Sequence, residues 1–153
     1  IDSRGHGKST NTQKKIDFFK MATDLLAIIQ QEKLTKIALL GFSDGANLAM
    51  VFCHLYPEHV SCMILNSGNT EPRGVRLFSR IGSVLQYLNH LSVPTLILVG
   101  KRDSIKLSHS FYIANSIPQS NFIVVKGQGH SFARKNPEVF NTKVLSFLEK
   151  VGE

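Results

Sequence analysis

At 153 residues, 42% apolar and 19% charged, the chain has the length of one domain and enough apolar content for a packed core, which excludes a disordered chain. A formal charge of +7 raises nucleic acid as a partner, but the basic residues are dispersed apart from pairs such as Lys14-Lys15, Lys101-Arg102 and Arg134-Lys135. No aromatic residues interleave them, so the reading is a solvated basic surface with no nucleic-acid partner.

No apolar run approaches the roughly 18 residues of a membrane span, and nothing resembles a signal peptide. The expectation is a cytoplasmic protein without a membrane partner. Cys53 and Cys62 are the two cysteines and sit in apolar stretches, so they read as buried thiols rather than a disulfide. No metal is implied, since His54 and His59 miss the i,i+4 helical spacing that a zinc-binding histidine pair needs.

Residues 2–12 are rich in Gly, Ser and Thr and read as a loop. Gly7-Lys8-Ser9 resembles the end of a phosphate-binding loop, but that motif needs a glycine where this chain has Asp2. From Lys14 to Gln31, Phe18, Phe19, Ala22, Leu25, Leu26 and Ile29 recur at helical spacing and predict an amphipathic helix. Ile37 to Leu40 reads as a buried strand that runs straight into Gly41-Phe42-Ser43-Asp44-Gly45. A helix follows from about Asp44 to Tyr56, stopped by Pro57.

Val60 to Leu65, Thr95 to Val99 and Phe122 to Val125 are further apolar strands. Their runs are continuous rather than alternating, as in strands covered by helices on both faces. Between Asn66 and Pro94, Leu77, Phe78, Ile81, Val84, Leu85, Leu88 and Leu91 predict one helix face. Arg73, Arg76 and Arg80 form a basic stripe that reads as solvated. Residues 66–94 read as a short, lid-like insertion. Leu107, Phe111, Ala114 and Ile117 predict a helix closed by Pro118, and a last helix begins with Asn136 as its cap and Pro137 at its first position, burying Phe140, Val144, Phe147, Leu148 and Val151. Strand and helix alternate throughout, which predicts an α/β fold: a mostly parallel sheet with helices on both faces, in a single domain over 1–153.

In such a sheet, loops leaving the carboxyl ends of the strands line one common edge, where ligands bind. Ser43 follows the first strand, Asp103 the third and His130 the fourth. A serine needs an adjacent base to become a nucleophile, imidazole can take that proton and return it to the leaving group, and a carboxylate holds the ring in its useful tautomer. Each residue alone has a plainer reading, as a turn serine, a helix-capping aspartate or a loop histidine. Their joint order on one fold points to a triad.

These residues resemble the α/β-hydrolase family, in the branch of esterases, lipases and peptidases marked by Gly-x-Ser-x-Gly, then Gly-x-x-Asp, then a Gly-His near the end. Asp2-Ser3-Arg4-Gly5-His6-Gly7-Lys8-Ser9 is similar to that family's Asp-x-Arg-Gly-x-Gly-x-Ser loop. The resemblance covers essentially the whole chain. It implies Ser43 as nucleophile, His130 as general base and acid, Asp103 as the orienting carboxylate, and the N–H of Asp44 as one oxyanion donor, with no cofactor. The implied activity is hydrolysis of small carboxylic esters through an acyl-enzyme; peptide or C–C bond hydrolysis is the alternative within the family. A module that binds without catalysis is the alternative outside it.

The chain departs from the family at its start. What resembles the first three strands is absent and the fourth is reduced to at most Ile1, so no residue matches the second oxyanion donor, and the nucleophile's strand is expected to be an uncovered apolar edge. The expectation is a fragment of a longer protein, or a chain that folds against a partner supplying those strands. Asp44 on one side and Lys101, Arg102 and Lys106 on the other leave the preferred charge of the acyl group open.

Overall fold

The computed structural model describes residues 1–11, 17–68 and 88–152. The predicted start of the first helix at Lys14, most of the lid-like segment 66–94 and its Arg73, Arg76 and Arg80 stripe lie outside the described residues. The N-terminal loop closes on itself: the Gly5 N–H donates to Ser9 O, the Lys8 N–H to the Asp2 carboxylate at 3.0 Å, and the Ser9 hydroxyl to Asp2 O at 2.7 Å. Arg4 Nε reaches across to Asp24 Oδ2 at 2.6 Å and ties the loop to the first helix.

That helix, α1, runs over Phe18–Gln31. Asp17 has an extended backbone, and its carboxylate accepts the N–H groups of Phe19 and Lys20, so it caps the helix and fixes Phe18 as the first helical residue. The chain continues through β1 (Ile37–Phe42), α2 (Asp44–Leu55), β2 (Val60–Asn66), β3 (Thr95–Arg102), α3 (Leu107–Ser116), β4 (Ser120–Gly129), a one-turn helix α4 (Phe132–Lys135) and α5 (Pro137–Gly152). Among the described residues no helix is long and apolar enough to cross a membrane.

The strands form one parallel sheet in the order β1-β2-β3-β4. Side chains of a strand alternate between faces, and two separate cores result. Leu39, Met63, Leu65 and Ile97 point toward α1, α2 and α3, where they join Met21, Ala22, Ala49, Phe52, Cys53 and Ile113. Cys62, Ile64, Leu96 and Leu98 point the other way, onto Phe132 of α4 and Phe140, Val144 and Phe147 of α5. The expected stripe of the last helix is the one buried, and helices cover both faces. In α3 the buried residues are Ser110, Ile113 and Ala114, while Phe111 is exposed and its ring lies 6.2 Å from that of Phe122.

Two expectations need correction. The first strand is buried on one face alone: Leu39 and Gly41 face α2, whereas Ala38, Leu40 and Phe42 are exposed, with Leu40 54% and Phe42 43% accessible. Leu40 pairs with Ile64 and shares its face, but α5 lies over β2, β3 and β4 and stops short of β1. The third and fourth strands are longer than their apolar runs. Backbone pairing continues to Arg102 and Gly129, since ladder bonds do not depend on whether a side chain is apolar.

Candidate active site

Gly41 makes the turn after β1 possible. A Cβ there would lie 2.2 Å from the carbonyl oxygen of Gly45, so α2 crosses the end of its own strand at a distance that admits no side chain. Ser43 takes up the strain of this turn, with φ 52° and ψ −115°. Its N–H donates to Asn66 O at 2.9 Å, which pins the turn to β2, and its hydroxyl does not cap α2. The first N–H groups of a helix have no intrahelical acceptor, and Asp44 is the first residue of α2.

Asp103 and His130 are brought together by β3 and β4. These strands approach so closely at Gly100 that a Cβ there would sit 2.5 Å from Gln128 O, and the pairing shifts between Gly100 and Arg102. The shift carries Gly129 to Arg102 and sets His130 over the following aspartate. His130 Nδ1 lies 2.8 Å from Asp103 Oδ1. The Asp103 side chain is fully buried, while that of His130 is 29% accessible.

Burial on its own would push the Asp103 carboxyl up. The N–H of Ile105 at 2.9 Å, the Ser67 hydroxyl at 2.7 Å and His130 together outweigh it and hold the group below the ordinary carboxylate range. An ionised carboxylate can accept but not donate, so Nδ1 of His130 carries the proton and Nε2 is left as an acceptor. The Phe42 ring lies against the imidazole, with centroids 5.0 Å apart, and places the residue before Ser43 in contact with His130. The Ser43 hydroxyl and His130 are not hydrogen-bonded among the described residues; such bonds often tighten only once substrate is bound.

A hollow of about 350 Å³ beside Ser43 is lined by Phe42, Asp44, Gly45, Met21 and, from the N-terminal loop, Asp2 and His6. A larger trough of about 850 Å³ runs along Ile37 to Leu40 of β1, between the N-terminal loop and α1, and none of Ser43, Asp103 and His130 lines it. It follows the open edge of the sheet. Asp44, Lys101, Arg102 and Lys106 are all exposed.

Three residues of the site carry no sequence motif. Phe42 occupies a variable position of the Gly-x-Ser-x-Gly pattern, and Asn66 and Ser67 follow an apolar strand without any recognised spacing. The available signal was the abrupt change from Leu65 to the polar run Asn66-Ser67-Gly68 at a strand's carboxyl end.

A family model described as the alpha/beta hydrolase fold matches residues 1–82. The chain is 39% identical over 69 residues to a putative 2-succinyl-6-hydroxy-2,4-cyclohexadiene-1-carboxylate synthase of Bacillus subtilis, covering 44% of this chain and 25% of that protein. It is 25% identical over 150 residues to a probable alcohol acetyltransferase of Wickerhamomyces anomalus, covering 96% of this chain and 42% of that one. The chain thus spans less than half the length of these curated relatives. Among solved structures, a thermophilic esterase from Thermogutta terrifontis superposes with a TM-score of 0.85 at 23% identity, over 98% of this chain and 78% of that one.

Proposed function

Because the chain belongs to the α/β-hydrolase family, we propose that it is a serine hydrolase that cleaves small carboxylic esters through an acyl-enzyme on Ser43. The observation that carries this reading is the 2.8 Å contact between His130 Nδ1 and a buried, ionised Asp103. A carboxylate so placed fixes the imidazole with Nε2 as base and stabilises the imidazolium that forms. His130 then takes the Ser43 proton as the hydroxyl attacks the ester carbonyl, the Asp44 N–H donates to the developing oxyanion, and the proton passes to the leaving alcohol. Water reverses the sequence and releases the acid. These steps need no cofactor.

A second reading, transfer of the acyl group to an alcohol instead of water, is favoured by the alignment of 96% of this chain to part of the probable alcohol acetyltransferase. The two differ in what resolves the acyl-enzyme, not in how it forms.

The reading includes the sheet edge. The outer side of β1 pairs with no strand among the described residues, and we assign it to a strand from an upstream segment or another chain, whose following loop would add the second oxyanion donor. Lacking one such donor costs about 100- to 1,000-fold in turnover. Reaction with a fluorophosphonate probe, read by intact mass, tests the assignment. One adduct on the native chain and none on Ser43→Ala is expected. No adduct on the native chain, even with the β1 edge covered, overturns it.

A further inference from the structure

Ser67 immediately follows β2, is 1% exposed, and has φ 54°. A backbone in that region favours glycine, and a buried serine that stays strained there points to a use for its side chain. The hydroxyl lies 2.7 Å from Asp103 Oδ2, 3.2 Å from Asn66 Oδ1 and 3.4 Å from His130 O. One hydroxyl has one proton to donate, and the shortest contact is also the charged one, so the proton goes to Asp103. The Ser67 N–H donates to Leu98 O at 2.9 Å, which fixes the residue to β3, the strand that leads to Asp103.

Asn66 completes the arrangement. It is fully buried, and its Nδ2 has no partner among the described residues although its Oδ1 faces the Ser67 hydroxyl. A half-turn of the amide exchanges the two ends and sets Nδ2 at that 3.2 Å contact, donating to Ser67 Oγ. The buried donor is then satisfied, and a carbonyl oxygen, which tolerates isolation better, takes its place. Amide, hydroxyl, carboxylate and imidazole become one hydrogen-bonded chain in which each bond polarises the next.

We propose that Ser67 is a positioning residue whose hydroxyl locks the Asp103 carboxylate in the orientation that holds His130 Nδ1. The assignment rests on the Ser43, His130 and Asp103 reading above. It predicts that Ser67 acts through Asp103, and a double-mutant cycle on the rate of fluorophosphonate labelling at Ser43 reads this directly. Ser67→Ala slows labelling about tenfold in the native background, as loss of an outer partner does at other preorganised sites, and has no further effect in an Asp103→Asn background. Ser67→Gly, which relaxes the backbone, shows the same loss as Ser67→Ala. An equal loss in both backgrounds, or a native rate in Ser67→Gly, overturns the proposal.

A second measurement requires no reaction. The His130 Nδ1 proton, observed by NMR and assigned by its absence in Asp103→Asn, exchanges with water about tenfold faster in both Ser67 variants, as expected for losing a hydrogen bond to a charged group. Unchanged exchange overturns the Ser67 assignment whether or not Ser43 is labelled. Absence of labelling in the native chain, by contrast, counts against the hydrolase reading alone.

Discussion

The two flanks of the sheet are built differently. On the β3–β4 side, the Asp103 side chain is buried, receives hydrogen bonds from Ser67, Ser104, Ile105 and His130, and lies beside a strand pair with helices on both faces. On the β1 side, Ser43 stands at the end of a strand that is covered on one face and, among the described residues, unpaired along its outer edge. His130 and Asp103 are therefore held by contacts within the chain, whereas Ser43 depends on one backbone bond to Asn66 and on the fit of α2 over Gly41. The Asp103 side chain that keeps its charge is fully buried, while Ser43 and His130 are each partly accessible.

Substitutions can break this contrast in a graded way. The largest effect is expected at Gly41, where an added Cβ meets backbone rather than a side chain that could move aside. Gly41→Ala should destabilise the chain by about 3 kcal/mol or more and abolish Ser43 labelling, measured by urea unfolding and intact mass. Next come two cross-strand partners on the same face. Ile64→Ala, beneath α5, should lower stability by about 2–4 kcal/mol, whereas Leu40→Ala on the open strand should change it by about 0.5 kcal/mol or less. Equal losses at the two positions would show β1 to be covered in solution. The smallest effect is linked to pH. Folding lowers the Asp103 pKa, so its contribution is fully present above the unfolded value of about 3.9 and is lost as pH falls through the folded one. Acid unfolding of the native chain should show this loss below about pH 4, and Asp103→Asn should lack that component.

Much of this was legible in the sequence. The order of strands and helices follows from continuous apolar runs and helical periodicity, and the meeting of Asp103 with His130 follows from the rule that strand ends share one edge. The open side of β1 was legible through the resemblance alone, since its own residues, Ile37 to Leu40, read as buried. Their composition is that of a covered strand, and composition does not say how far a neighbouring helix extends. Ser67 was not legible either. Its backbone strain and its 2.7 Å contact with Asp103 arise from residues 36 positions apart in the chain, and no local pattern encodes them.

The two thiols lie in different halves of the interior, Cys53 in the core under α1, α2 and α3, and Cys62 in the core under α4 and α5. Burial pushes both up, Cys53 to about 11, so neither presents a thiolate while its layer is closed. An alkylating reagent reaches each sulfur when that layer opens. The protein therefore carries two built-in clocks, one for each side of the sheet, and their relative rates report whether the molecule breathes as a unit or as two sheets of packing that loosen independently.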